Sequence, residues 1–203
     1  MEAYKTILSK YIPQAAIDPI YDWLKENRIH LRISRARTTK LGDYRSPHNG
    51  KGHQITVNHN LNPYAFLITL VHEIAHQQVW IKHGNRVKAH GREWKDTYRK
   101  LMDPFIDSGV FPDDVKQALI RYMGKSYASS GTDLNLSRVL QRYDAEPGLT
   151  LEQIREGSTF RIPGGKTFIK GSLNRKRYRC IRTDNNRVYL VSALAQVELL
   201  KSP

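Results

Sequence analysis

Residues 62–84 constrain this chain more than any other stretch. Phe66, Leu67, Leu70, Val71 and Ile74 recur at helical spacing. Asn62 is a good N-cap, Pro63 a good first helical residue, and Gly84 a C-terminal stop. The pattern predicts one largely buried helix over 63–83. Inside it stand His72, Glu73 and His76. Buried polar groups need partners, and residues four apart share a helix face, so His72 and His76 can grip one ion. Glu73 is rotated about 100° from His72, which lets its carboxylate reach a water on that ion without becoming a ligand. A zinc-bound water drops in pKa from about 15.7 toward about 7, and a neighbouring carboxylate can then take its proton. The motif points to metal-assisted hydrolysis.

A catalytic zinc takes three protein ligands and keeps one position open. His83 lies seven residues past His76, about 10.5 Å along a straight helix, too far for a bond of about 2.0–2.1 Å. The metzincin pattern is also absent, because Val79 and Lys82 stand where it needs Gly and His. Glu93 is the candidate on a thermolysin-like pattern. His90 fits better. Residues 85–89 can turn the chain back, and His90 then opens a second helix on which Trp94, Tyr98, Leu101 and Phe105 share its face. Trp94 and its neighbours bury that face, so His90 points toward His72 and His76.

HEIAHQQVW followed after a loop by KAHGREWK resembles the SprT-like metalloproteases, over roughly residues 5–105. The resemblance implies a zincin-like α+β domain of helices packed on a small sheet, with zinc as cofactor. It implies His72, His76 and His90 as ligands and Glu73 as general base. It also implies a protein or peptide substrate, since the best-known members cleave proteins trapped on DNA. Many members end in a zinc ribbon with two cysteine pairs. This chain has one cysteine, Cys180, so no four-thiolate site can form.

The chain carries 33 Lys plus Arg against 19 Asp plus Glu, a net charge of +14. Such an excess favours polyanions, whether DNA, RNA or an anionic membrane, and with the family resemblance DNA is the expected partner. No run of 18 apolar residues indicates a transmembrane helix, and no apolar signal segment opens the chain. With a single cysteine, these features predict a cytoplasmic protein, and the basic charge is compatible with association with the nucleoid.

Three regions are expected: a metalloprotease domain over 1–125, a linker with a short helix over 126–149, and a small basic β-domain over 150–203, ribbon-like or SH3-like. In the first, a helical pattern over 3–26 is broken by Pro13 and Pro19. Strands are predicted at 28–36, 38–45 and 53–59. The resemblance suggests that the strand at 53–58 forms the cleft edge and pairs with extended substrate. His53 and His59 flank it and read as ordinary strand-end residues. Tyr44 is a further possible oxyanion donor. Residues 112–124 and 134–143 read as helices, with a flexible join at 126–132. Beyond 150, short strands alternate with turns. Residues 155–182 hold nine basic residues and one acid, with Phe160, Phe168 and Tyr178 among them. Arg175, Lys176, Arg177 and Arg179 are the candidate nucleic-acid contacts, while the aromatics fit a small core or base stacking.

Two functions follow from these residues. One is a zinc endopeptidase acting on proteins bound or crosslinked to DNA. The other is a nucleic-acid-binding protein whose zinc site is structural or vestigial; the intact Glu73 argues against it, because a structural site does not require that carboxylate.

Overall fold

The computed structural model describes residues 2–37, 39–124 and 133–203. The join expected at 126–132 lies outside the described residues. The chain divides into two compact units, residues 1–144 and 145–203, in an α+β arrangement.

The first unit opens with helices α1 (Glu2–Leu8) and α2 (Ile17–Glu26), separated by a 3-10 turn at Gln14–Ala16. Strands β1 (His30–Ser34), β2 (Gly42–Arg45) and β3 (Gln54–Asn58) follow. They form one sheet in the order β1-β3-β2, with β1 parallel and β2 antiparallel to β3. Leu31 and Ile33 of β1, Tyr44 of β2 and Ile55 and Val57 of β3 face the hydrophobic core. The alternate residues face away from it, as a period of two requires.

The sheet carries a correction. β3 was expected at the cleft edge, yet it is the central strand, and β1 and β2 occupy both of its sides. It has no free edge for a substrate strand. Local alternation reveals a strand but not its rank in the sheet, and here the chain returns between β1 and β2.

Helix α3 (Pro63–His83) is buried on almost every side. Phe66, Leu67, Ile68, Leu70 and Val71 are fully enclosed. The Asn62 side chain caps its start, accepting from the Ala65 amide at 3.0 Å. The same side chain donates to the Leu140 carbonyl at 2.8 Å and to Asp144 at 2.7 Å. At the far end Gly84 adopts φ 59° and donates to the Trp80 carbonyl at 2.7 Å, a backbone state that glycine enters without penalty. Helices α4 (Arg92–Asp107), α5 (Asp113–Gly124) and α6 (Leu134–Gln141) complete the unit. Leu136 and Leu140 of α6 join the first core, so this helix of the segment read as a linker packs as part of the first unit.

The second unit is an antiparallel five-stranded sheet in the order β7-β6-β5-β4-β8. Its strands are β4 (Thr159–Arg161), β5 (Thr167–Asn174), β6 (Arg177–Arg182), β7 (Val188–Ser192) and β8 (Glu198–Lys201). Its small core is Leu151, Ile154, Phe160, Phe168, Cys180 and Val197. Phe160 and Phe168 are buried there against each other, with ring centroids 5.7 Å apart. They are core residues and offer no stacking face to a base. Tyr178 lies under the Lys170 ammonium at 3.9 Å.

Candidate metal centre

The turns of α3 place His72 and His76 on one face, and the turn that leads into α4 brings a third imidazole to them. The Nε2 atoms are 3.2 Å apart for His72 and His76, 2.9 Å for His76 and His90, and 3.1 Å for His90 and His72. Among the described residues, this is the group of three or more metal-capable side chains that can close on one ion. Neither His83 nor Glu93 belongs to it.

His90 reaches the site from a position the helical pattern did not suggest. Helix α4 begins at Arg92 with Gly91 as its N-cap. His90 stands before the cap, in the left-handed region at φ 56°. A non-glycine residue there is uncommon, and that backbone turn aims the ring across to α3. The platform beneath all three rings is Trp94. Its ring centroid lies 4.5 Å from that of His72, 5.3 Å from His76 and 4.8 Å from His90. Tyr98 stacks behind Trp94 at 5.0 Å.

Burial sets the charge state of the rings. Desolvation, then the neighbouring imidazoles, push the pKa of His72 down to about 3. The same causes push His76 down to about 4. Burial, with Lys95 adding to it, lowers His90. All three are therefore neutral at pH 7. Neutral imidazole has one acceptor nitrogen, and three acceptor lone pairs converging on one point repel unless a cation lies between them. Two nitrogens bound to one tetrahedral zinc at about 2.0–2.1 Å lie about 3.3 Å apart. The observed separations are close to that, so the donor set fits a transition metal such as zinc.

Glu73 lies one residue along α3 and is buried. Burial, then the nearby Asp43 charge, push its carboxyl up to about 8. The Tyr44 backbone N–H, which donates to it, and the charges of Lys40 and Arg37 oppose that rise. Strand β2 is thus the edge strand that faces the motif helix. Gly42 makes this approach possible. A methyl placed on it would lie 2.8 Å from Thr69 Cγ2 and 2.9 Å from Glu73 Oε1. Glycine inside a strand often marks such close contact, and that signal was available in the sequence.

A cleft of about 510 Å³ opens beside the histidines, with Tyr44, Arg45, His48, His76, Trp80 and Trp94 among its walls. The Tyr44 hydroxyl lies 2.9 Å from His53 Nδ1. His53 in turn stands edge-on to Trp80, at 5.3 Å between centroids. His59 is exposed at the end of β3. Arg175, Lys176, Arg177 and Arg179 are exposed on the β5–β6 hairpin of the second unit.

The family model for SprT-like proteins matches residues 13–117, just over half of the chain. This chain belongs to the SprT-like family. The match spans α2 to the start of α5 and includes the whole histidine triad. A search of curated proteins finds no match. SprT-like proteins are associated with metallopeptidase activity, and the three histidines of the triad are compatible with metal binding. No helix among the described residues is long and apolar enough to cross a membrane.

Proposed function

We propose that this SprT-like protein is a zinc-dependent endopeptidase with a zincin-like catalytic unit. The observation that carries the reading is the convergence of three Nε2 atoms within 3.2 Å of one another, with Glu73 on the same helix, buried, beside the edge strand of the sheet. His72, His76 and His90 would hold zinc, which when bound supplies Lewis-acid chemistry and acidifies a water.

The chain's own groups do the rest. The outer edge of β2, through the main-chain groups that the Tyr44–Glu73 bond leaves open, pairs with an extended peptide, giving sequence-tolerant binding. The Trp80 side of the cleft receives apolar side chains. Glu73 accepts the proton of the attacking water and returns it to the leaving amine. Its burial raises its proton affinity, the positive charge of a bound zinc would favour its ionised form, and the Tyr44 amide holds the carboxylate in place. The Tyr44 hydroxyl, kept in orientation by His53, donates to the carbonyl oxygen as charge develops there. The family resemblance and the net charge of +14 support proteins bound or crosslinked to DNA as the substrates.

The test is metal analysis with digestion of an unfolded protein such as casein, on wild type and Glu73→Gln. One zinc per chain in both, with the variant about 10²–10⁴-fold slower, is the expected result. Equal cleavage by the two would remove Glu73 from the mechanism. Stoichiometric zinc with no cleavage by either would favour a structural site.

A further inference from the structure

The outer face of the three-stranded sheet has no role in the reading above. Strand alternation turns His30, Arg32 and Ser34 of β1 outward, with Gln54 and Thr56 of β3 and Asp43 and Arg45 of β2. The register aligns His30, Gln54 and Arg45 in one cross-strand row. Arg32, Thr56 and Asp43 form the next. A cavity of about 640 Å³ lies over these rows. Its walls carry Arg32, Arg37, Arg45 and Lys51, together with His30. No carboxylate and no hydrocarbon side chain lines it.

A solvated strand face ordinarily mixes charges of both signs. Here the single acid nearby, Asp43, is already shared by Arg37, Lys40 at 3.2 Å and Arg45 at 3.2 Å. Among the described residues, neither Arg32 nor Lys51 is paired with a carboxylate. The excess charge spreads over two rows about 6.6–6.8 Å apart and two strand spacings of about 4.8 Å each. That area exceeds the reach of one free phosphate. It suits a chain of phosphates, and the Thr56 hydroxyl and the Gln54 amide add neutral donors. A membrane surface is a poorer match, because nothing apolar on this face would insert.

We propose that this sheet face binds the phosphodiester backbone of a nucleic acid, without reading its bases. The residues of this site all belong to the first unit, and the exposed arginines of the β5–β6 hairpin belong to the second. Arg45 lines both this cavity and the cleft beside the histidines. A strand seated here would therefore bring its attached protein to the free edge of β2. The binding itself goes beyond the endopeptidase reading and stands without it.

The experiment measures binding on the full chain carrying Glu73→Gln, so cleavage plays no part. Fluorescence anisotropy with a labelled single-stranded oligonucleotide is read at salt from about 50 to about 200 mM, the range over which phosphate contacts weaken steeply. Replacing Arg32 and Lys51 by Ala together is expected to lower the slope of log K against log salt by about 1 for each side chain removed. The charge-conserving pair Arg32→Lys and Lys51→Arg should keep the wild-type slope. An unchanged slope in the alanine pair would overturn the proposal. So would loss of binding only when Arg175, Lys176 and Arg177 are replaced by Ala. Capture by phosphatidylserine vesicles but not by the oligonucleotide would overturn it as well.

Discussion

Replacing Gly42 by Ala separates the positioning of Glu73 from the holding of a metal. The glycine φ is not in the left-handed region, so the backbone accepts alanine and the effect is steric. The new methyl would stand 2.8 Å from Thr69 Cγ2 and 2.9 Å from Glu73 Oε1. Ordinary carbon contacts lie at about 3.5–4.0 Å, a shortfall of roughly 0.6–1.2 Å. Thr69 cannot turn away cheaply, since it is buried and its hydroxyl donates to the Ala65 carbonyl at 2.8 Å. Glu73 therefore gives way. A misplacement of about 1 Å costs on the order of 10²-fold in rate, and overpacking costs about 1–3 kcal/mol of stability. The assay is kcat on a peptide substrate, with metal content and thermal midpoint measured alongside. A fall of about 10²-fold with metal retained is expected. In the Glu73→Gln background the same change should add little further loss, because coupled residues are not additive. A wild-type rate in Gly42→Ala, or full additivity with Glu73→Gln, would refute the argument.

Other outcomes follow from the same geometry. Asn tolerates the left-handed backbone of residue 90, so His90→Asn should fold yet bind metal more weakly than the 10–100-fold loss typical of removing an outer hydrogen-bond partner; unchanged affinity in a zinc titration would exclude His90 as a ligand. Tyr44→Phe should lower kcat by about 10²–10³ with metal content unaltered, and an unchanged kcat would remove its hydroxyl from the mechanism. The metal-free chain should show a pH optimum of stability. His72 and His76 have folded pKa values of about 3 and about 4 against 6.5, so below pH 6.5 the unfolded chain binds more protons and stability falls with pH. Glu73, raised from 4.5 to about 8, works the other way, losing stability as pH rises toward 8. The two histidines outweigh one carboxyl below 6.5, and the carboxyl acts alone above it. Thermal melts should therefore peak near pH 6.5, and a steady rise through pH 8 would contradict the burial of Glu73.

The motif helix was legible because its information is local. Asn62, Pro63, the apolar positions and Gly84 lie within one stretch, and helical geometry alone puts His72 beside His76. His90 was legible as a neighbour of His72 and His76 but not in its conformation. A helix beginning at residue 90 would have aimed its ring through the face of Trp94, whereas the structure uses a left-handed residue before the Gly91 cap, and no pattern of hydrophobic spacing signals that turn. The strand order was not legible either. Alternation in Gln54–Asn58 marks a strand with one buried face, but its central rank depends on how the chain returns from β1 through β2. For the same reason the alignment of Arg32 and Arg45 stayed hidden, since it arises from pairing between separate segments, whereas a glycine inside a predicted strand at residue 42 was a legible sign of close approach whose partner was not. The lone Cys180 and the Phe160–Phe168 pair show the converse: a small sheet must spend its few apolar residues on its own core.

X-ray absorption at the zinc edge of the zinc-loaded chain tests the central claim most directly. The account requires three imidazole nitrogens at about 2.0–2.1 Å and one light-atom ligand that exchanges with solvent. A sulfur neighbour, a closed set of four protein ligands, or a spectrum that survives replacement of His72, His76 and His90 would contradict it.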